Sequence, residues 1–341
     1  MVSEWRIIMK KNHYAQAVKE SEENQKLNDM ESNSQNNFDE NSMTGKIRTD
    51  LALEVRESFE EDVEIHGVVV NEDYNKKLDI KVTTVEIKDE HGAKMMGKPI
   101  GTYITIEAPK LKESDESYHE PISEEIAKYI KQLSNNVKSK EVLVAGLGNR
   151  EVTPDILGPM VVDHLFVTRH LIEQYGEEFQ QKHKLGNVAA IAPGVMAQTG
   201  METSEIIRGI VEQTHPKLVI VIDALAARNV NRLNTTVQLT DTGISPGSGV
   251  GNHRNALNKE TLGVDVIALG VPTVVDAATI VHDTLETFMN KSGFSEEEIQ
   301  QFTHQVSQET IHNMFVTPKN IDDTVKRISY TISEALNQCF S

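Results

Sequence analysis

The chain has a single cysteine among 341 residues, Cys339, so it contains no internal disulfide and no thiolate-based zinc cluster. A thiol so close to the C-terminus reads as a structural or surface residue rather than a nucleophile. No apolar run approaches the ~20 residues that span a bilayer. The opening MVSEWRIIMKKNHY lacks the long apolar core and small-residue site of a signal peptide, so residence in the cytoplasm is expected. Positive charge is also scarce. Lys and Arg number 34 against 52 Asp and Glu, a net charge of -18, and no basic cluster offsets it. A phosphate backbone or an anionic membrane would be repelled, and neither is expected as a partner. The acidic runs Glu20–Glu23, Glu60–Asp62 and Glu296–Glu298 read as solvated faces and helix starts.

What remains is a water-compatible composition, 38% hydrophobic with a mean hydropathy of -0.39, in a chain long enough for one large core or two modest ones. Residues 1–45 are rich in Asn, Glu, Ser, Gln and Lys. They cannot bury enough apolar area to offset their ordering entropy and read as a polar tail, with some helix within Ala15–Met30. In 63–109, Leu78, Ile80 and Val82 alternate with polar neighbours, as do Ile104 and Ile106, which predicts a small antiparallel β unit closed by Pro109. A charged connector then leads to a helix over Ile122–Leu133.

From Val142 strand and helix alternate. Strands are expected at VLVAG, Val188–Ala192, Leu218–Asp223 and Val266–Gly270, with Thr235–Thr240 as a further one. Helices are expected at Leu157–Tyr175, Ser204–Gln213 with Thr203 or Ser204 as cap, and Ala277–Asn290 with Asp276 as cap. Continuous apolar strands separated by amphipathic helices predict an α/β fold, a mostly parallel sheet covered by helices on both faces. The expected organisation is a tail at 1–50 and a body at 51–341, comprising the β unit, an α/β core over 142–290 and C-terminal helices over 291–341.

Chemistry concentrates at the expected carboxyl ends of the strands, where ligands bind in open α/β sheets. The strand VLVAG runs into GLGNREVTPDILGP and delivers Asp155; LVIVID ends on Asp223. Asp155 alone reads equally well as a helix cap, but a carboxylate closing a buried apolar strand needs a partner or a purpose. Two adjacent carboxylates cannot both ionise cheaply, so one holds a proton. Such a dyad can activate water with one member and protonate a scissile amide with the other. Gly146-Leu147-Gly148-Asn149 is not a dinucleotide site, because Glu151 replaces the third glycine of G-x-G-x-x-G. Its glycines instead suit a tight turn that folds the following loop over the strand ends.

A divalent ion held by Asp155, Asp223 and His253 is the alternative, His253 lying on the Gly-rich loop GSGVGNHR. There is no H-E-x-x-H, and His282 with Glu286 reads as an ordinary polar helix face. Gly148, Asn149, Met196, Thr199, Gly200, Ser248 and His253, all on loops near the strand ends, are candidate substrate contacts.

GLGNREVTPDILGP, PGVMAQTGMET, VIDALAAR, DTGISPGSGVGN and ALGVPTVVDA, in this order, resemble the germination protease family of spore-forming bacteria, from about Ile47 to the C-terminus. The arrangement is similar, more distantly, to hydrogenase maturation endopeptidases. The resemblance implies a hydrogenase-maturation-protease-like core, a homotetramer, and a zymogen of the forespore that degrades small acid-soluble spore proteins at germination. It places the catalytic acids on Asp155 and Asp223, with no resident metal or other cofactor. The maturation endopeptidases add a metal-binding histidine that has no clear equivalent in this chain.

The family's substrates are cut within Thr-Glu-(Phe or Ile)-Ala-Ser-Glu, between the acidic and apolar residues. Thr49-Asp50-Leu51-Ala52-Leu53-Glu54 is similar, which implies self-processing between Asp50 and Leu51. Two further readings stay open: a metal-dependent peptidase, and a non-catalytic binder of the same spore proteins.

Overall fold

A computed structural model describes residues 49–59, 63–113, 116–135, 137–247, 254–292 and 314–341. The elements, in chain order, are helix α1 (Ala52–Glu57), strands β1 (Val68–Asn75) and β2 (Ile80–Ile87), helix α2 (Glu90–Met96), β3 (Gly101–Glu107) and α3 (His119–Ser134). Then come β4 (Glu141–Gly146), α4 (Leu157–Asp163), α5 (Arg169–His183), β5 (Asn187–Ile191), α6 (Met196–Thr199), α7 (Thr203–Thr214), β6 (Leu218–Ala227) and β7 (Thr236–Thr240). The last are α8 (Lys259–Leu262), β8 (Asp265–Asp276), α9 (Ala277–Lys291), β9 (Phe315–Val316) and α10 (Ile321–Phe340).

One sheet runs through the structure in the order β1-β2-β3-β7-β8-β6-β4-β5, with β9 paired to the end of β8. Its centre is parallel, β8, β6, β4 and β5 all pointing the same way. The expected antiparallel unit is present but is not set apart. β3 pairs with β7 and β7 with β8, so β1, β2 and β3 extend the central sheet. Strand alternation distributes the core between two faces. Val142 and Val144 of β4, with Ile220 and Ile222 of β6, pack with α3, α4 and α10. Leu143, Ala145, Val219 and Val221 face α7 and α8 instead. In α10, Val325, Ile328, Ile332 and Leu336 recur at helical spacing and are all buried, each contributing about 1.5–3 kcal/mol by removal from water. No helix among the described residues is long and apolar enough to cross a membrane.

Several expected elements change. The helix foreseen over Leu157–Tyr175 is two, broken at residues 164–168. Thr168 is drawn out of helical geometry by β5: its N–H donates to the Val188 carbonyl at 3.0 Å, and its hydroxyl accepts from the Val188 N–H and donates to the Gly186 carbonyl. The cap of α7 is Glu202 rather than Thr203 or Ser204, in a reciprocal box with Glu205. Asp276 does accept from the Ala278 N–H at 2.9 Å at the start of α9. In the expected C-terminal helical stretch, β9 precedes α10, while SEEEIQQF, like the 1–48 part of the tail, lies outside the described residues. Between β2 and β3 the segment EHGAKMMGKPIG holds α2, capped by Asp89 and ended by Gly97 in the left-handed conformation. Cys339 is buried against the Ala127 carbonyl, and burial pushes its thiol up to about 12, an unreactive setting.

Arg232, buried at 7% exposure, pins α1 to the sheet. It pairs with both oxygens of Glu57 at 2.6 Å, donates to Glu107 of β3 at 3.0 Å and lies 3.4 Å from Glu54. Glu54 also accepts from the backbone N–H groups of Arg228 and Asn229, at 2.7 and 2.9 Å. Removing one partner of a buried ion pair strands the other charge. Arg232→Met is therefore expected to cost about 3–5 kcal/mol, read as a lowered urea midpoint. An unchanged midpoint would show that α1 is held by apolar contacts alone.

Candidate active site

The site forms where β4 ends beside β6, which runs on past the expected end at Asp223 to Ala227 because it stays paired with β8. β4 and β6 pair in parallel up to Gly146↔Ile222, and the Leu147 N–H extends the ladder onto the Ile222 carbonyl at 2.8 Å. Asp223 is therefore the next residue along β6. The chain leaving β4 folds straight back. Gly148 adopts φ +118°, and a Cβ there would sit 1.9 Å from the Asp155 carbonyl oxygen. A Cβ on Gly146 would lie 2.1 Å from the Gly158 carbonyl, and one on Gly158 would lie 2.3 Å from that of Leu147. These absent side chains allow the 148–155 loop to lie over the strand ends. Its far end is fixed by Thr273, whose hydroxyl donates to the Pro154 carbonyl at 2.7 Å.

Asp155 closes a short 3-10 turn, Thr153–Asp155, and does not cap the next helix, whose N-cap is Ile156. One oxygen accepts from the Asn149 N–H at 2.8 Å. Burial raises its pKa above the ordinary carboxylate value, opposed by that hydrogen bond and by the charge of Arg254. Asp223 is more deeply buried, at 6% exposure, and its pKa is pushed well up, first by burial and then by the charges of Asp155 and Asp50. The Ala224 N–H and Arg254 act the other way. The charge of Asp155 thus reaches Asp223 and favours its neutral form.

Of the candidate contacts, Gly148 and Asn149 belong to this loop. The Asn149 side chain accepts from the Gln198 amide at 3.0 Å, tying the loop to α6. Met196, at the start of α6, is 46% exposed. Thr199 bonds locally to Val195 and Met201, and Gly200 ends α6 in a left-handed turn. Ser248 and His253 lie outside the described residues. Residues that could together hold a metal, among those described, are His66, Asp89 and His91, whose ligand atoms lie within 4.8 Å of one another. They sit near the β1 edge rather than at the dyad. His282 pairs with its neighbour Asp283 at 3.4 Å.

The chain's own Thr49–Glu54 segment lies along the end of β6. Asp50 donates its N–H to the Ala226 carbonyl and accepts the Ala226 N–H on its carboxylate, both at 2.9 Å. Leu51 is fully buried among Leu225, Ala227, Leu233 and Val275. A cleft of about 730 Å³ opens beside α1, lined by Glu54, Glu57, Arg228, Arg232 and Phe288 among others; neither Asp155 nor Asp223 lines it.

Three site neighbours escaped the sequence reading. Arg254, with its Nε buried and unpartnered among the described residues, was hidden beside His253 in a Gly-rich loop. Lys98 carried no expectation, and Gln238 was only one residue of the expected strand Thr235–Thr240.

A carboxyl whose pKa rises on folding binds its proton more tightly in the folded state. It therefore costs stability as pH climbs from its unfolded value of ~3.9 through the folded one. Asp223→Asn escapes that cost. At pH 7 it is expected to melt above the parent, the gain vanishing below about pH 4. A variant that melts no higher at pH 7 would show that the carboxyl is not buried in its neutral form.

Residues 47–298 match the germination protease family. The chain is 47% identical over 310 residues to the germination protease of Caldanaerobacter subterraneus subsp. tengcongensis, covering 85% of this chain and 93% of that one. It is 42% identical over 308 residues to that of Clostridium perfringens (strain ATCC 13124), covering 85% and 94%. To that of Bacillus subtilis (strain 168) it is 40% identical over 343 residues, covering 85% and 92%. Among solved structures, a [NiFe] hydrogenase maturation protease, HycI from Thermococcus kodakarensis KOD1, aligns with a TM-score of 0.30 and 16% identity over 60% of this chain and 98% of that one. With a family match over most of its length and relatives above 40% identity, the chain belongs to the germination protease family.

Proposed function

We propose that the chain is an endopeptidase in which Asp155 and Asp223 act as a dyad holding one proton between them. The observation that carries this reading is the unequal setting of the two carboxyls. Asp223 is the more deeply buried and also bears the charges of Asp155 and Asp50, which bias it strongly towards its neutral form, whereas burial alone raises Asp155. Asp155 is then the base that takes a proton from the attacking water, and Asp223 the acid that gives its proton to the leaving nitrogen. The rate falls when a second proton neutralises the pair and again when the shared proton is lost, giving a bell whose limbs belong to the pair rather than to either residue.

The proposed substrates are small acid-soluble spore proteins, degraded in the spore core as germination begins. The proposed form of synthesis is a zymogen that cuts itself between Asp50 and Leu51. Two observations support the last step. The Thr49–Glu54 segment resembles the family's cleavage site, and it lies against the same strand end that bears Asp223, its Asp50 charge contributing to the raised pKa there. The candidate contacts of the 148–155 loop and α6 are proposed to orient the peptide. Assembly as a homotetramer is also proposed. The outermost strand β1 exposes Val69, Val70 and Tyr74, a surface suited to a second copy.

Purified full-length chain, and a peptide containing Thr-Glu-Ile-Ala-Ser-Glu, provide the test. Mass spectrometry is expected to find a new N-terminus at Leu51 and peptide cut after its first Glu. Asp155→Asn and Asp223→Asn are each expected to lower both rates by ~10²–10⁴-fold. A different N-terminus would end the self-processing proposal. Full activity in either variant would end the dyad. Loss of activity with a chelator, restored by a divalent ion, would favour the metal-dependent alternative. Peptide binding without cleavage would favour the non-catalytic one.

A further inference from the structure

The carbonyl of Asp50 belongs to the bond at which self-processing is proposed, and the fold places two side-chain donors on its oxygen. Lys98 Nζ lies 2.9 Å from it and Gln238 Nε2 lies 3.1 Å away. Gln238 also accepts the Ala52 N–H on its own carbonyl oxygen at 2.7 Å, so one carboxamide brackets the Asp50–Leu51 peptide on both sides. Neither donor is there by chance of surface position. Gln238 is 7% exposed on β7, between β3 and β8. Lys98 follows the left-handed Gly97 that ends α2, and its ammonium is turned inward to a backbone carbonyl rather than to water. A half-buried lysine makes an expensive anchor for an ordinary loop, since loss of water pulls its pKa down, offset by the charges of Asp50 and Glu54.

We infer that Lys98 and Gln238 form the oxyanion cradle for cleavage of the Asp50–Leu51 bond, a catalytic pair additional to the two aspartates. The inference rests on the self-processing reading above. In the step, water oxygen bonds to the Asp50 carbonyl carbon while one of its protons passes to the ionised carboxylate. The carbonyl π electrons move onto the Asp50 oxygen, where the Lys98 ammonium and the Gln238 N–H meet the developing negative charge. The pair on that oxygen then re-forms the double bond, the C–N bond breaks, and the proton of the neutral carboxyl goes to the Leu51 nitrogen. The products are an Asp50 carboxyl and a Leu51 amine. Donors preorganised on the oxygen are worth more as it becomes anionic than while it is a neutral carbonyl, the differential that lowers a barrier.

The test follows first-order conversion of full-length chain to the 51–341 form in wild type, Lys98→Met, Gln238→Met and Lys98→Ala. Losing one such donor typically costs ~10²–10³-fold, and each Met variant is expected to slow by that much. Hydrogen exchange at the amides of 51–57 is expected to stay as protected as in wild type. Ethylammonium is expected to restore part of the rate in Lys98→Ala and to leave Gln238→Met unchanged. Conversion of Lys98→Met or Gln238→Met within about threefold of wild type would overturn the inference while leaving self-processing standing. Slow conversion accompanied by loss of protection at 51–57, without rescue by the amine, would overturn it too, since the side chains then merely hold the segment. A wild-type chain that never converts would instead remove the self-processing reading, and the cradle with it.

Discussion

The approach of one backbone to another, where three side chains are missing, is the constraint on which the site depends. β4 and β6 could pair in parallel without Gly146, Gly148 and Gly158, but the loop between β4 and α4 could not then return over their ends. A single Cβ at Gly148 would stand 1.9 Å from the carbonyl oxygen of Asp155 itself, well inside van der Waals contact. The loop would lift, and Asp155 would leave the neighbourhood of Asp223. The electrostatics of the site then follow from packing. Asp223 lies within the buried length of β6, so its carboxyl has lost most of its water before Asp155 arrives. Adding a second carboxyl to that setting makes double ionisation costlier still. The proposed proton sharing would thus follow from where β4 ends beside β6, and Arg254 would moderate it by favouring the charged forms of both.

This part of the molecule was legible in the sequence because its signals are local. A continuous apolar run closed by Asp223, and a G-x-G turn leading to Pro154-Asp155, report burial and geometry within a dozen residues of themselves. The strand centres were equally plain. Boundaries were less so. β6 and β8 run on to Ala227 and Asp276, beyond the expected Asp223 and Gly270, because their outer ends are covered by Leu51, β9 and the start of α9, pieces far away in the chain. The break before α5 was unreadable for a similar reason. Thr168 leaves the helix only because Gly186 and Val188 lie beside it. Joining the antiparallel strands to the parallel ones needed the pairing of β3 with β7, across more than a hundred residues. Lys98 and Gln238 carried no signal at all. Their meaning comes from a carbonyl at residue 50 that neither approaches in sequence.

The segment from Thr49 to Glu57 unites these observations. Its two halves are held by different means. The half ending at Asp50 is held by hydrogen bonds to Ala226, Lys98 and Gln238, and through the Thr49 hydroxyl to Glu54 and the Leu51 N–H. The half beginning at Leu51 is held by a fully buried leucine and by the ion network around Arg232. Burial and a satisfied buried ion network are the stronger anchors in water, where a typical net hydrogen bond contributes only about 1 kcal/mol. Scission between the halves would therefore free the upstream part while the downstream part stays in place.

Scission would also create charge where little water reaches. A new ammonium on Leu51, whose side chain is fully buried, would need a partner close by, and it would act on the carboxyl of Asp223, which already feels the charge of the adjoining Asp50. A buried cation near two carboxyls would favour ionisation of both, opposing the proton sharing proposed for cleavage. The cut chain would be left with two outcomes: its new terminus stays and disables the pair, or Leu51 leaves its apolar pocket and the pair regains its proton. The second costs the burial of one leucine, about 1.5–3 kcal/mol, and hydration of the released ammonium opposes that cost. Because the Arg232 network grips α1 downstream of Leu51, the terminus can swing out without unseating the helix, and the strand end is then open to a peptide from another chain.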